Sequence, residues 1–138
     1  MPAIRVALVI AHGLEVMMAN NKVLVNLATG MEDKERVLIA FLVATAAQAQ
    51  GKDVVIWVTK DAVKLGLPGQ MTGVPCKECP DLEKLLQQYL DAGGELWLCP
   101  ICVKSRDLDD AEKLPAAKIV GATPLWEWIG DGATVFSY

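Results

Sequence analysis

Hydrophobic positions along the chain switch repeatedly between two periods. "KVLVNLA" (22–28) is short, apolar and rich in β-branched residues, which predicts a buried strand. "ERVLIAFLVATAAQAQG" then reads as a helix closed by Gly51. From Val37 to Ala47 it is apolar almost all round, so both of its sides are expected to be covered. Ahead of it, "TGMEDKER" sets Thr29 and Glu32 three apart, the spacing of a capping box, with acids in the first turn. "DVVIWVTK" is the next strand and "DAVKLG" a short helical turn, followed by the Gly/Pro-rich loop "LPGQMTGVPCKECP". "PDLEKLLQQYLDAGG" predicts an amphipathic helix with Leu82, Leu85, Leu86, Tyr89 and Leu90 on one face, stopped by two glycines. "ELWLC" is a third strand; "PICVKSR" opens a helix that "DLDDAEKL" continues or restarts. "AKIVGA" reads as a fourth strand, "TPLWEWIGDG" as a helix and "ATVFSY" as a last strand.

Strands alternating with helical crossovers predict an α/β fold, a three-layer α/β/α sandwich on a mostly parallel sheet of about five strands. In such a sheet every strand ends on the same edge, where ligands and reactive groups collect. That edge receives Thr29 and Gly30 after the first strand, Cys99 and Cys102 after the third, and Gly121 to Pro124 after the fourth. The loop carrying Cys76 and Cys79 follows the second strand and lies on the same edge.

The 138 residues fit one domain with a substantial core. A hydrophobic fraction of 53% and a mean hydropathy of +0.32 are high for a soluble chain. Charge is nevertheless spread throughout, and no apolar run approaches the roughly 18–20 residues of a membrane span. The surplus apolar content instead suggests helices buried on more than one side, as in an α/β layer sandwich or a subunit interface. A net charge of −4 with no basic run argues against nucleic acid or an anionic membrane as the main partner.

The first residues stand apart. Arg5 and "VALVIA" imitate a secretory leader, but the six apolar residues fall short of the usual run of roughly 7–15. "MANNKVLVNL", from Met18, would make a natural start, so residues 1–21 are read as an extension or extra strand ahead of a single domain at 22–138. Four cysteines without a leader point to a reducing cytosol, where paired thiols serve metal or sulfur chemistry more often than structural disulfides.

Cys76-x2-Cys79-x19-Cys99-x2-Cys102 has the spacing of a tetrathiolate zinc site. Zinc knuckles, however, usually sit on turns of small modules that fold around the metal, whereas this set straddles a strand end in a self-sufficient core. A thiol-chemistry reading rests on "CPIC": Pro100 suits the first helical position, leaving Cys99 as N-cap and Cys102 at the third position. A thiolate there would face unpaired N–H groups, with Lys104 and Arg106 nearby, and its pKa would fall. The alternative is a cysteine that is simply buried as a small hydrophobe. His12 is the only histidine and lies in the detached segment, which disfavours a Cys-His pair. Trp126 and Trp128 are best explained by packing, and "GLPGQMTG", lacking Gly-Lys-Ser/Thr, reads as a mobile flap rather than a phosphate loop.

"KVLVNLATGMEDKERVLIAFLVATAAQAQGKDVVIWVTKDAVKLGLPG", "GGELWLCPICVKSRDL" and "PLWEWIGDGATVFSY" together resemble the DsrE-like (DsrE/TusD/YchN) family of small sulfur-relay proteins over residues 22–138. The resemblance implies a doubly wound parallel sheet, a cytoplasmic homotrimer or homohexamer, and sulfur donor and acceptor proteins as partners. It also implies a persulfide on the strand-end cysteine, which by position is Cys99, ahead of a helix ending in Arg-Gly; here that pair is Arg106-Asp107. Cys102 would share or resolve the load, Cys76 and Cys79 are auxiliary thiols, and Thr29, Gly30, Lys104 and Arg106 are candidate substrate-binding residues. No cofactor is implied. The peroxidatic Pro-x-x-x-Thr-x-x-Cys motif is missing, against a peroxiredoxin. Three functions follow: a sulfur carrier or sulfurtransferase using Cys99, a dithiol–disulfide oxidoreductase using Cys99 and Cys102, and a zinc-stabilised interaction module using all four thiols.

Overall fold

A computed structural model of the chain describes residues 21–138. Of the anticipated extension at 1–21, residues 1–20 lie outside the described residues. Five strands form one sheet: β1 (Lys22–Leu27), β2 (Asp53–Val58), β3 (Glu95–Leu98), β4 (Ala117–Ile119) and β5 (Thr134–Ser137). Their order is β4-β3-β2-β1-β5, and every pairing is parallel.

Alternation along the strands separates two faces. Val23, Val25 and Leu27 of β1, Val54, Ile56 and Val58 of β2, and Leu96 and Leu98 of β3 share one face and one core cluster. That cluster is closed by α1 (Lys34–Ala49), through Val37, Leu38, Ala40, Phe41 and Ala44, and by α2 (Leu82–Asp91), through Leu82, Leu85, Leu86 and Tyr89. The Phe41 and Tyr89 rings meet edge to face with centroids 5.5 Å apart. The opposite face carries Leu24, Val55, Trp57 and Trp97, and α4 (Ala122–Ile129) lies over it with Leu125 and Trp128. Right-handed crossovers explain the layering: β1 to β2 and β4 to β5 run in opposite directions across the sheet, so their helices fall on opposite faces.

Local chemistry sets the element ends. Asp33, not Thr29, caps α1, its side chain accepting from the Arg36 N–H at 3.1 Å. Glu32 instead reaches back to the Gly30 N–H at 2.9 Å, because residues Met31–Asp33 form a 3-10 turn that delays the α-helix. Asp81 caps α2, and Gly51 (φ +78) ends α1 with the Lys52 N–H on the Ala47 carbonyl and the Gly51 N–H on that of Gln48.

The helix expected to continue through "DLDDAEKL" does not form. α3 (Pro100–Ser105) stops where Asp107 adopts φ +54, and the Leu108 and Asp107 N–H groups bond the Val103 and Lys104 carbonyls. This is a Schellman end with aspartate in the position glycine usually holds. Beyond it, Lys113 Nζ donates to the carbonyls of Leu108, Asp109 and Ala111 at 2.8–3.1 Å and gathers the chain into turns. The "GLPGQMTG" loop is likewise pinned: Met71 is 2% exposed, and the Leu82 N–H bonds the Gly73 carbonyl at 2.9 Å.

Candidate functional site: a dithiol at the strand edge

Cys99 continues β3 by one residue, its N–H donating to the Val58 carbonyl at 3.0 Å. It is the N-cap of α3, with Pro100 in the first helical position, and its carbonyl accepts from the Val103 N–H at 3.1 Å. Backbone pairing on one side and a helical turn on the other thus hold the cysteine at the C-terminal edge of the sheet. Both Cys99 and Cys102 are free and half-buried. Cys102, at the third helical position, follows Cys99 by about one helical turn.

The electrostatics run against the helix-terminus expectation for Cys102. Burial pushes its thiol above the usual cysteine value, and the neighbouring Cys99 pushes the same way. The backbone N–H of Lys60 and the Arg106 guanidinium pull down without overcoming them.

A 3-10 segment, Lys60–Gly66, forms the neighbouring wall of the rim and packs against α3. Lys60, at the exit from β2, takes φ +52. Asp61 follows, and its Oδ1 accepts from Arg106 Nε at 2.6 Å. Arg106 Nη1 also donates to the Cys102 carbonyl at 3.3 Å and to Ser105 Oγ at 3.2 Å. The hydrogen bond from Arg106, helped by Lys64, holds the Asp61 carboxyl below the usual aspartate range. Arg106 therefore connects the β2 exit to the dithiol turn.

The sequence-predicted residues divide accordingly. Cys99, Cys102 and Arg106 come together. Gly30 meets them indirectly: a Cβ there would lie 3.0 Å from the Asp61 carbonyl oxygen and 2.9 Å from Glu32 Oε2, so the close approach requires glycine. Thr29 lies beside Gly30 beyond the end of β1, and Lys104 points outward from α3. Cys76 and Cys79 pack against the same core and lie beside each other, Cα to Cα 5.1 Å. Among the described residues, no three His, Cys, Asp or Glu side chains gather within reach of one metal ion. Asp61 and Lys60 escaped the sequence reading; the signal available was an acid directly after a strand ending on the reactive edge.

The opposite face of the sheet holds a second feature that sequence concealed. Trp57 and Trp97 are register partners, Trp97 meets Trp128 edge to face at 5.7 Å, and each sheet tryptophan finds a partner: Trp57 Nε1 the Val120 carbonyl at 2.9 Å, Trp97 Nε1 Glu95 at 2.8 Å. Trp128 is thus a packing residue, as expected, whereas Trp126 is 72% exposed.

The molecule is a small α/β protein: a five-stranded parallel sandwich with two free, half-buried cysteines at the strand-end edge. Residues 21–138 match the DsrE/DsrF-like family, and the chain belongs to it. It is 28% identical over 105 residues to the uncharacterized protein MK0008 of Methanopyrus kandleri, covering 76% of this chain and 84% of that one. The fold is similar to that of the YchN protein from E. coli (TM-score 0.70, 21% identity, 86% and 99% of the two chains). It also resembles MTH1491 from Methanobacterium thermoautotrophicum (TM-score 0.63, 14% identity, 85% and 98%). Relatives of this family serve sulfur relay.

Proposed function

We propose that this protein is a sulfur carrier that holds a persulfide on Cys99 and passes it to a partner thiol. The observation that carries the reading is the position of Cys99 itself: a free, half-buried thiol at a strand end, with a second thiol one turn away. In loading, the Cys99 thiolate attacks the outer sulfur of a donor persulfide and the donor leaves as a thiolate. In delivery, an acceptor thiolate attacks the outer sulfur and Cys99 leaves as a thiolate. Cys102 can terminate the cycle by attacking the Cys99 sulfur, which expels hydrosulfide and closes a Cys99–Cys102 disulfide. Arg106 steadies the turn that holds both thiols, and Lys104 offers a cation to an arriving partner.

The test is single-turnover sulfur transfer from a loaded protein to a small acceptor thiol. Transfer is lost in Cys99→Ser and retained in Cys102→Ser; the reverse pattern refutes the assignment. A dithiol–disulfide oxidoreductase is the second reading, favoured by two free thiols one helical turn apart at the same strand end. That reading predicts ready closure of the Cys99–Cys102 disulfide with no sulfane-sulfur loading.

Assembly belongs to the same proposal. Ile39 and Leu42 of α1 are 44% and 39% exposed, apolar surface that a homotrimer or homohexamer would cover. Sedimentation at micromolar concentration yields that oligomer, and a monomer there refutes it. Cytoplasmic placement with protein donors and acceptors accords with the acidic chain, and no helix among the described residues is long and apolar enough to cross a membrane.

A further inference from the structure

The irregular loop between Gly66 and α2 holds a thiol pair that the carrier mechanism does not use. Cys76 and Cys79 stand in sulfur-to-sulfur contact with Cα atoms 5.1 Å apart, inside the range that a disulfide bridges without backbone movement. The turn that presents them is closed independently of the sulfurs, by the Cys79 N–H donating to the Cys76 carbonyl at 3.1 Å. Glu78, within that turn, takes the left-handed conformation at φ +65. The loop also has anchors of its own in buried Met71 and in the Leu82-to-Gly73 hydrogen bond. The loop backbone is therefore held by contacts other than the two sulfurs.

The bridge is a poor structural staple. It closes a sequence separation of 3, and a short closed loop restrains the unfolded chain least. Both cysteines are half-buried, so an incoming thiol can reach them. They are also separate from the rim dithiol: Cys99 and Cys102 remain free, and no cluster of three such side chains joins the two pairs among the described residues.

We propose that Cys76 and Cys79 are a second redox site, a dithiol–disulfide couple that exchanges with an external dithiol and operates independently of Cys99. In the reducing direction, a thiolate of the incoming dithiol attacks one loop sulfur. The Cys76–Cys79 bond breaks, the displaced loop thiolate takes a proton, and a mixed disulfide remains. The second thiol of the incoming molecule then attacks its own bridged sulfur and releases the other loop thiolate, which is protonated in turn. Two electrons and two protons pass to the loop, and the external dithiol becomes a disulfide. Oxidation of the loop is the same sequence in reverse.

The experiment equilibrates the full chain in a graded series of reduced and oxidised dithiothreitol, then traps free thiols with a maleimide and counts labels on each peptide by mass. It uses wild type and the Cys99→Ser/Cys102→Ser double variant. The proposal expects Cys76 and Cys79 to change from blocked to labelled together and reversibly, with the same midpoint in both proteins and unchanged circular dichroism. Cys76→Ser abolishes the transition. A pair that stays bridged until the protein is denatured, or that labels fully in every buffer, overturns the proposal. So does a bridge from either loop cysteine to Cys99 or Cys102 in wild type. If the double variant fails to fold, the wild-type peptides decide between these outcomes by themselves, and none of the outcomes depends on persulfide loading.

Discussion

Arg106 Nε stands 2.6 Å from Asp61 Oδ1, although 45 positions separate the two residues in the chain. The pair fastens the exit of β2 to the end of α3, and the same guanidinium holds the Cys102 carbonyl. The dithiol turn is thus braced by a carboxylate on a neighbouring segment. Asp61 is well exposed, so the brace works by orientation more than by bulk stability.

The brace has a pH signature. The Asp61 pKa in the folded protein lies below its ordinary value of 3.8. Its contribution is therefore fully present above that value and is lost as pH falls through the lower, folded one. Urea midpoints measured from neutral pH down into that window should fall more steeply for wild type than for Asp61→Asn. Parallel curves would show that the pair contributes nothing.

Cys102 should titrate late. Burial and the adjacent Cys99 raise its pKa, so its alkylation by iodoacetamide, followed on its own peptide, should inflect above the usual cysteine value of 9.0. Cys99→Ser removes one raising influence and moves the inflection down; Arg106→Ala removes a lowering one and moves it up. An inflection below the usual value in wild type would contradict this account.

Asp107 occupies a conformation that suits glycine, with φ +54 at the Schellman position. Asp107→Gly should therefore stabilise the fold by about 0.5 kcal/mol. Asp107→Val should destabilise it by about 1–2 kcal/mol, since a β-branched residue resists that region. Denaturant midpoints of the two variants decide, and a loss of stability in Asp107→Gly would count against the assignment.

Gly30→Ala tests the packing of the rim. Its Cβ would press on the Asp61 backbone at 3.0–3.1 Å, which cannot retreat as a side chain can. The variant should lose about 1–3 kcal/mol. It should also weaken the Asp61–Arg106 pair, read as a flatter acid dependence of stability. Full stability would return Gly30 to a role in ligand contact alone.

The alternation of short apolar strands with helical patterns was enough to anticipate the five parallel strands and their order of appearance. The Cys-Pro pair was enough to place Cys99 as an N-cap, because proline is tolerated at the first helical position and few others. Long-range and competing local effects were not legible. Nothing in "TKD" announces that Asp61 meets Arg106, since only the packing of the 3-10 segment on α3 brings them together. Thr29 and Glu32 have capping-box spacing, yet a 3-10 turn intervenes and Asp33 takes the cap. "DLDDAEKL" has helical composition, but Asp107 ends the helix and Lys113 gathers the following carbonyls.

The central claim is that Cys99 carries the sulfur. The most direct measurement is to load the protein with a sulfane-sulfur donor, digest it, and locate the added sulfur atom by peptide mass spectrometry in wild type and in each single Cys→Ser variant. The account predicts one extra sulfur on Cys99, lost in Cys99→Ser and kept in Cys102→Ser, Cys76→Ser and Cys79→Ser. Full loading of Cys99→Ser, or loading that disappears only with a loop cysteine, would contradict it.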